Sequence, residues 1–236
     1  MLLNEMSETR RYEQRARARK QEETRGRIID ALIELHETVG AAQTTVVEVA
    51  RRAGVGRMTV YNHFPTESDM VAACTSHWIT LHPPPDVEAW RRFADPDERL
   101  GAALAELYAY YGETQAMWTT AYRDARLVES LGEIMDSTWF ALLDRAVEVL
   151  AAGRGLRGNR RHRVVGALRL VVDFPTWRTL TQSGLPDAEA AGVAAVFVTA
   201  SAAASAPDPS ARGGADRKRR RATVGQRARR PPGGRR

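Results

Sequence analysis

Apolar residues recur three and four positions apart along most of the chain, which is the spacing that gathers them on one face of an α-helix. Ile28, Ile29, Leu32, Leu35 and His36 make one such face, and Val46, Val49, Ala50 and Ala53 make a second. Leu100, Leu104, Leu107 and Tyr111 form a third, and a longer run takes in Leu131, Ile134, Met135, Phe140, Leu143, Val147 and Leu150. Val164, Leu168, Val171 and Val172 mark a further helix. No stretch sustains the period of two that a half-buried strand needs, and neither Asn-Gly nor Asp-Gly occurs to close a hairpin. The expected fold is all-α. No fixed-period repeat points to a solenoid.

Breakers divide this pattern. Pro83-Pro84-Pro85 cannot continue a helix, so a boundary is placed there; Pro96 and Pro186 open helices, while Gly153 and Gly155 end one. Four regions follow: a basic arm at 1–24, helical only near its end; a first domain at 25–82; a second, helical domain at 86–204; and a tail at 205–236. The stretch from Ser201 to Ala215, SAAASAPDPSARGGA, leads into a tail rich in arginine that buries too little apolar surface to offset its ordering entropy and is expected to be disordered.

Within the first domain, Thr45 and Glu48 have the spacing of a capping box at the start of a helix over Val46 to Ala53. Gly54 supplies the backbone freedom for a sharp exit. A second short helix from Arg57 to His63 then turns only Val60 and Phe64 inward. Arg57, Thr59, Tyr61, Asn62 and His63 are left on the other surfaces, where their donors and acceptors match base edges and phosphates. Together with the helix of Ile28 to His36, this is the pattern of a three-helix DNA-reading unit built on a helix-turn-helix.

At these residues the sequence resembles the tetracycline-repressor (TetR) family of bacterial transcription regulators. The likeness runs from Arg27 to about Val71, in IIDALIELHETVG, TTVVEVARRAGVGRMTVYNHF and PTESDMV. It implies a reading helix in the major groove, with Tyr61 and His63 on phosphates, Thr59 near a thymine methyl or a phosphate, and Thr45 at the DNA backbone. Arg57 has the geometry for guanine and Asn62 for adenine, and Arg25 and Arg27 can reach a phosphate or the minor groove. The resemblance also implies a palindromic double-stranded operator, a homodimer, a small-molecule effector and a cytoplasmic repressor. Three residues depart from the family pattern: Gly56 stands at a capping position where Ser is frequent, Glu67 where Lys is frequent, and His36 where Phe is usual.

Charge changes this picture less than the total suggests. The chain of 236 residues carries a formal +6, yet 207–236 alone holds eleven basic residues against Asp208 and Asp216, a net +9. The arm to Arg27 is +3, which leaves the body from Ile28 to Ala206 at −6. DNA binding by the body therefore rests on the motif, and non-specific binding driven by the tail is the alternative.

The second domain concentrates candidates for a small-molecule site: Tyr108, Tyr111, Trp118, Tyr122, Met135, Trp139, Phe140, Asp173 and Trp177. Aromatic walls with a few polar groups suit a cavity, although aromatic core packing accounts for each residue singly. Asp173 stands out, as a carboxylate beside Val171 and Val172 and before Pro175, a residue expected to kink the helix. An all-α enzyme finds no catalytic residues: no two histidines are three or four apart, and no Gly-x-Ser-x-Gly or phosphate-cradling loop occurs. No metal or cofactor is expected. Cys74 is the single cysteine, which fits a reducing compartment. A tail-anchored membrane protein is the remaining rival, because Ala190 to Ala206 is an uncharged run of 17 residues. Its small side chains suit helix packing better than a bilayer.

Overall fold

The structure, a computed structural model, describes residues 2–203, with side chains from Arg11 onward. The basic tail at 205–236 lies outside the described residues. Among the described residues all regular structure is helical. The helices are α1 (Leu2–Thr38), α2 (Val46–Ala53), α3 (Arg57–His63), α4 (Glu67–Leu81), α5 (Pro96–Asp124), α6 (Glu129–Met135), α7 (Ala141–Ala151), α8 (Gly158–Val171), α9 (Phe174–Gln182) and α10 (Asp187–Ala203).

Two hydrophobic cores fill the unit. The smaller joins Ile28, Leu32 and Leu35 of α1 to Val49 and Ala53 of α2, Val60 and Phe64 at α3, and Cys74 of α4. The larger surrounds α5, whose Leu100, Leu104, Leu107 and Tyr111 pack against α7 to α10; Ile33 of α1 touches both cores. Two tyrosines fix α5 to the corner between α8 and α9: Tyr108 donates to Val171 O at 2.9 Å and Tyr111 to Val172 O at 2.7 Å. Arg99, buried without a carboxylate partner, donates instead to carbonyls at Phe93 (2.7 and 3.0 Å), Val149 (3.1 Å) and Ala152 (2.9 Å). A cation among the free carbonyls at the end of α7 satisfies acceptors that the helix cannot.

The helix ends follow local chemistry. Asp95 caps α5 by accepting from the amides of Asp97 and Glu98, with Pro96 in the first turn. Thr45 accepts from the Glu48 amide at 3.2 Å, but the Glu48 carboxylate does not return the bond; it takes Arg51 and Arg52 instead, so the expected capping box is half made. The reciprocal box is at α4, where Thr66 and Asp69 exchange both bonds. Gly54 is left-handed at φ 65°, and the Val55 amide donates back to Ala50 O at 3.0 Å, closing the turn between α2 and α3.

Three elements differ from expectation. The arm is helical from Leu2, continuous with α1. The long run at 131–150 is interrupted by a π-helical segment, Asp136–Phe140, whose extra residue rotates the following face and brings Trp139 inward. Pro175 starts a helix and does not kink one: α8 ends at Val171 and Asp173 precedes α9, with the proline in the first turn where its missing N–H costs nothing.

Candidate nucleic-acid interface

The short helix α3 is held from below and open above. Val60 is fully buried and Phe64 nearly so, both in the smaller core, whereas Arg57, Met58, Tyr61 and Asn62 are exposed and Thr59 and His63 half-buried. Seven residues could not hold a helix by backbone bonding alone; these two anchors and the Gly54 turn do so. Met58, 69 % exposed, adds an apolar side chain to this surface that the sequence reading did not single out.

The expected arm residues flank the same unit. The Arg25 guanidinium lies 5.0 Å from the centre of the Phe64 ring, in cation–π contact, and so is docked at the foot of α3. Arg27 is exposed beside the Gly54 turn and donates to Thr24 Oγ1 at 3.4 Å. Thr45 stands exposed at the start of α2 with its oxygen engaged in capping and its O–H left to donate. Glu48, chelated by Arg51 and Arg52, has its carboxyl held down at about 2.

Behind this surface, at the end of the unit where α1 and α4 meet α5, α6 and α7, lies a cavity of about 180 Å³. Its reading-unit wall includes His36, Cys74 and Trp78; its opposite wall includes Tyr110, Trp118, Met135 and Trp139. Of the residues expected for a small-molecule site, only Trp118, Met135 and Trp139 line it. Tyr108 and Tyr111 spend their hydroxyls on backbone carbonyls, and Trp177 donates to Asp187 at 2.9 Å. Tyr122 donates to Asp173 at 2.6 Å and accepts from Trp139 at 2.9 Å, while Phe140 packs edge-on against the Tyr122 ring. Asp173 is therefore partnered within the protein, with burial raising its carboxyl above the ordinary value against the lowering pull of the Tyr122 bond. His36, Cys74 and Trp78 were missed because α1 and α4 belong to the region read as DNA-binding, and Tyr110 because it falls off the α5 stripe of Leu100, Leu104, Leu107 and Tyr111.

The junction beside the cavity is polar. His36 and Cys74 meet through Nδ1 and Sγ at 3.2 Å. Burial lowers the His36 pKa to about 4 against the opposing pull of Asp124, and burial raises the Cys74 thiol to about 12. No group of three or more metal-ligating side chains gathers among the described residues.

A buried two-residue footing under a seven-residue helix, preceded by a capped helix and a left-handed glycine turn, defines a helix-turn-helix protein of the kind that reads duplex DNA. Residues 28–74 match the family described as "Bacterial regulatory proteins, tetR family". The chain is 40% identical over 76 residues to the HTH-type transcriptional regulator SrpR of Pseudomonas putida, and 38% identical over 76 residues to TtgW, an HTH-type transcriptional regulator of the same species. Each match takes in 31% of this chain; the first spans 36% and the second 57% of the relative's own length. A TetR-like transcriptional regulator from Rhodococcus sp. RHA1 shares the fold over 77% of this chain and 97% of its own, with a TM-score of 0.54 and 19% identity. Residues 28–74 thus carry a tetR-family domain, and the fold is shared with the TetR-like regulator. No helix among the described residues is long and apolar enough to cross a membrane.

Proposed function

We propose that the protein is a cytoplasmic, homodimeric transcriptional repressor that binds a palindromic double-stranded operator and releases it when a small molecule enters the cavity behind the reading unit. The observation that carries this reading is the row of exposed side chains on α3, held at a fixed height by Val60 and Phe64. Arg57 and Asn62 are assigned to base edges, and Tyr61, His63, Thr59 and Thr45 to phosphates or their surroundings, with Arg25 and Arg27 at the flank. In this reading the reading domain is 25–82 and the effector and dimerisation domain 86–204. Leu170 of α8 and Val193, Val196 and Phe197 of α10 are exposed apolar residues that suit a two-fold seam. Such a dimer sets the two reading helices about 34–36 Å apart, or a multiple of that, to meet successive half-sites.

Coupling follows from where the cavity lies. Its lining includes side chains of α1 and α4, so a bound molecule that favours one setting of α4 changes the spacing of the two α3 helices without touching DNA. A tenfold preference for that setting corresponds to about 1.4 kcal/mol.

Operator selection with the full-length protein, followed by Tyr61→Ala, tests the assignment. The variant is expected to lose discrimination between operator and random duplex, while a chain truncated after Ala206 keeps it. If discrimination survives Tyr61→Ala and disappears on truncation, binding belongs to the basic tail.

A further inference from the structure

We infer that the corner between α7 and α8 is a second, sequence-indifferent DNA-binding surface, which takes the phosphate backbone of another duplex and lets the protein bridge two. Between Glu148 and Asp173 the chain carries six arginines and no acidic residue, although the body from Ile28 to Ala206 is −6 in all. Two of the six are tied to carboxylates, Arg154 to Asp97 at 2.6 Å and Arg169 to Asp144 at 2.8 Å. Arg157, Arg160 and Arg161 are exposed and make no ion pair among the described residues. Helix stability does not explain these charges. Arg157 stands at the start of α8 without a side-chain cap, Arg160 and Arg161 fall within the first four helical residues, and the first turn holds no acidic residue. Cations there oppose the helix dipole, and an anion laid against them offsets that cost.

The corner lies at the far end of α5 from the reading unit. Arg154 donates to Pro96 O at 2.5 Å and Arg99 to Ala152 O at 2.9 Å, which pins the corner to the start of α5. The other end of α5 holds the loop before α2, through Asp124 and Ala42. The 29 residues of α5 set about 42 Å between those ends. Charges are screened beyond about 8 Å at physiological ionic strength, so these arginines do nothing for a duplex held on α3. The patch also lacks an apolar component, since residues 157–162 read RGNRRH. A lipid surface holds a protein by apolar insertion as well as by charge. Duplex DNA is held by charge alone, and its phosphates, one per about 1.7 Å of axis, meet guanidinium groups three and four residues apart whatever the base sequence.

Random-sequence duplex on beads, loaded with the full-length protein and challenged with a second, labelled duplex, tests the bridge without depending on operator recognition. The wild type is expected to capture the second duplex, less so as salt rises. Arg157→Glu, Arg160→Glu and Arg161→Glu together should cut capture about tenfold or more at equal protein load, because three phosphate contacts become repulsions. The three Lys replacements keep the charge and should capture nearly as well as the wild type. The Glu variant complements the helix dipole and should melt no lower than the wild type. Should it fail to fold, the single Gln replacements serve, each lowering capture about threefold. The chain truncated after Ala206 should still capture. Undiminished capture by the Glu variant would overturn the inference, as would capture that vanishes on truncation, which assigns it to 207–236. Binding to phosphatidylglycerol vesicles through these arginines, without duplex capture, would overturn it in favour of a lipid partner.

Discussion

Asp124 accepts the backbone N–H of Ala42 at 3.0 Å, joining the end of α5 to the loop between α1 and α2. Its neighbour Arg123 completes the joint by donating to Asp124 and, at 2.7 Å, to Val39 O. Asp124 is 1% exposed; burial pushes its carboxyl up, but the bonds from Arg123 and Ala42 outweigh this and hold it below the ordinary value. The loop that leads into the DNA-reading helices is thus tied to the helix that walls the cavity.

Gly40→Ala should break this joint. Gly40 has φ 89°, and a Cβ there would collide with Asp124 Oδ2 and Arg123 Nη2. Backbone strain and the clash together are expected to cost about 2–3 kcal/mol, read as a lower urea midpoint at unchanged slope.

His36 should give stability a pH dependence. Unfolded, its imidazole protonates near 6.5; folded, burial holds it neutral down to about 4. The unfolded chain therefore binds the extra proton between these values. The contribution is fully present above about pH 6.5 and is lost as pH falls towards 4, about 3 kcal/mol in all. Unfolding free energies measured at pH 7 and pH 5 should differ less in His36→Phe than in the wild type, and equal differences would exclude this source.

Cys74 is buried and its thiol is pushed up to about 12, so little thiolate exists at pH 8. Labelling by a thiol reagent should be slow in the native protein and immediate in denaturant.

Arg99→Met should destabilise the fold by about 3 kcal/mol, because the carbonyls of Phe93, Val149 and Ala152 lose their donor while the buried volume is kept. Thermal unfolding distinguishes this from a surface effect. Arg99→Lys should recover only part, since one ammonium cannot span acceptors that a planar guanidinium reaches together.

Tyr122→Phe should cost about 1–2 kcal/mol, as it strips a donor from Asp173 and an acceptor from the Trp139 indole. Asp173→Asn should be tolerated, because its side-chain oxygen still accepts from Tyr122. Burial raises the Asp173 pKa. Its contribution is therefore present below the unfolded carboxylate value and lost as pH rises through the folded one, and the Asn variant should lack that slope in chemical-denaturation series.

What the sequence determined by itself is local. The three- and four-residue periodicity identifies the all-α class, and Thr45, Gly54, Val60 and Phe64 specify the cap, the turn and the buried footing of the reading helix, because each acts on residues within a few positions of itself. The same locality made the Thr66 and Asp69 box legible in principle, through its Thr-x-x-Asp spacing. Tertiary structure alone decided which aromatics enclose space and which fill it. Tyr108, Tyr111 and Trp177 carry the same residue types as Tyr110, Trp118 and Trp139, but their polar atoms meet acceptors at the end of α8, in the corner after it and on α10, positions sixty-odd or ten residues away that no periodicity connects. The cavity owes part of its wall to α1 and α4, and Trp139 enters it through a π-helical turn whose extra residue shifts the face that a strict helical count assigns. Periodicity reports which side of a helix is apolar; which neighbour covers that side, and whether it covers it completely, depends on distances that only the folded chain sets.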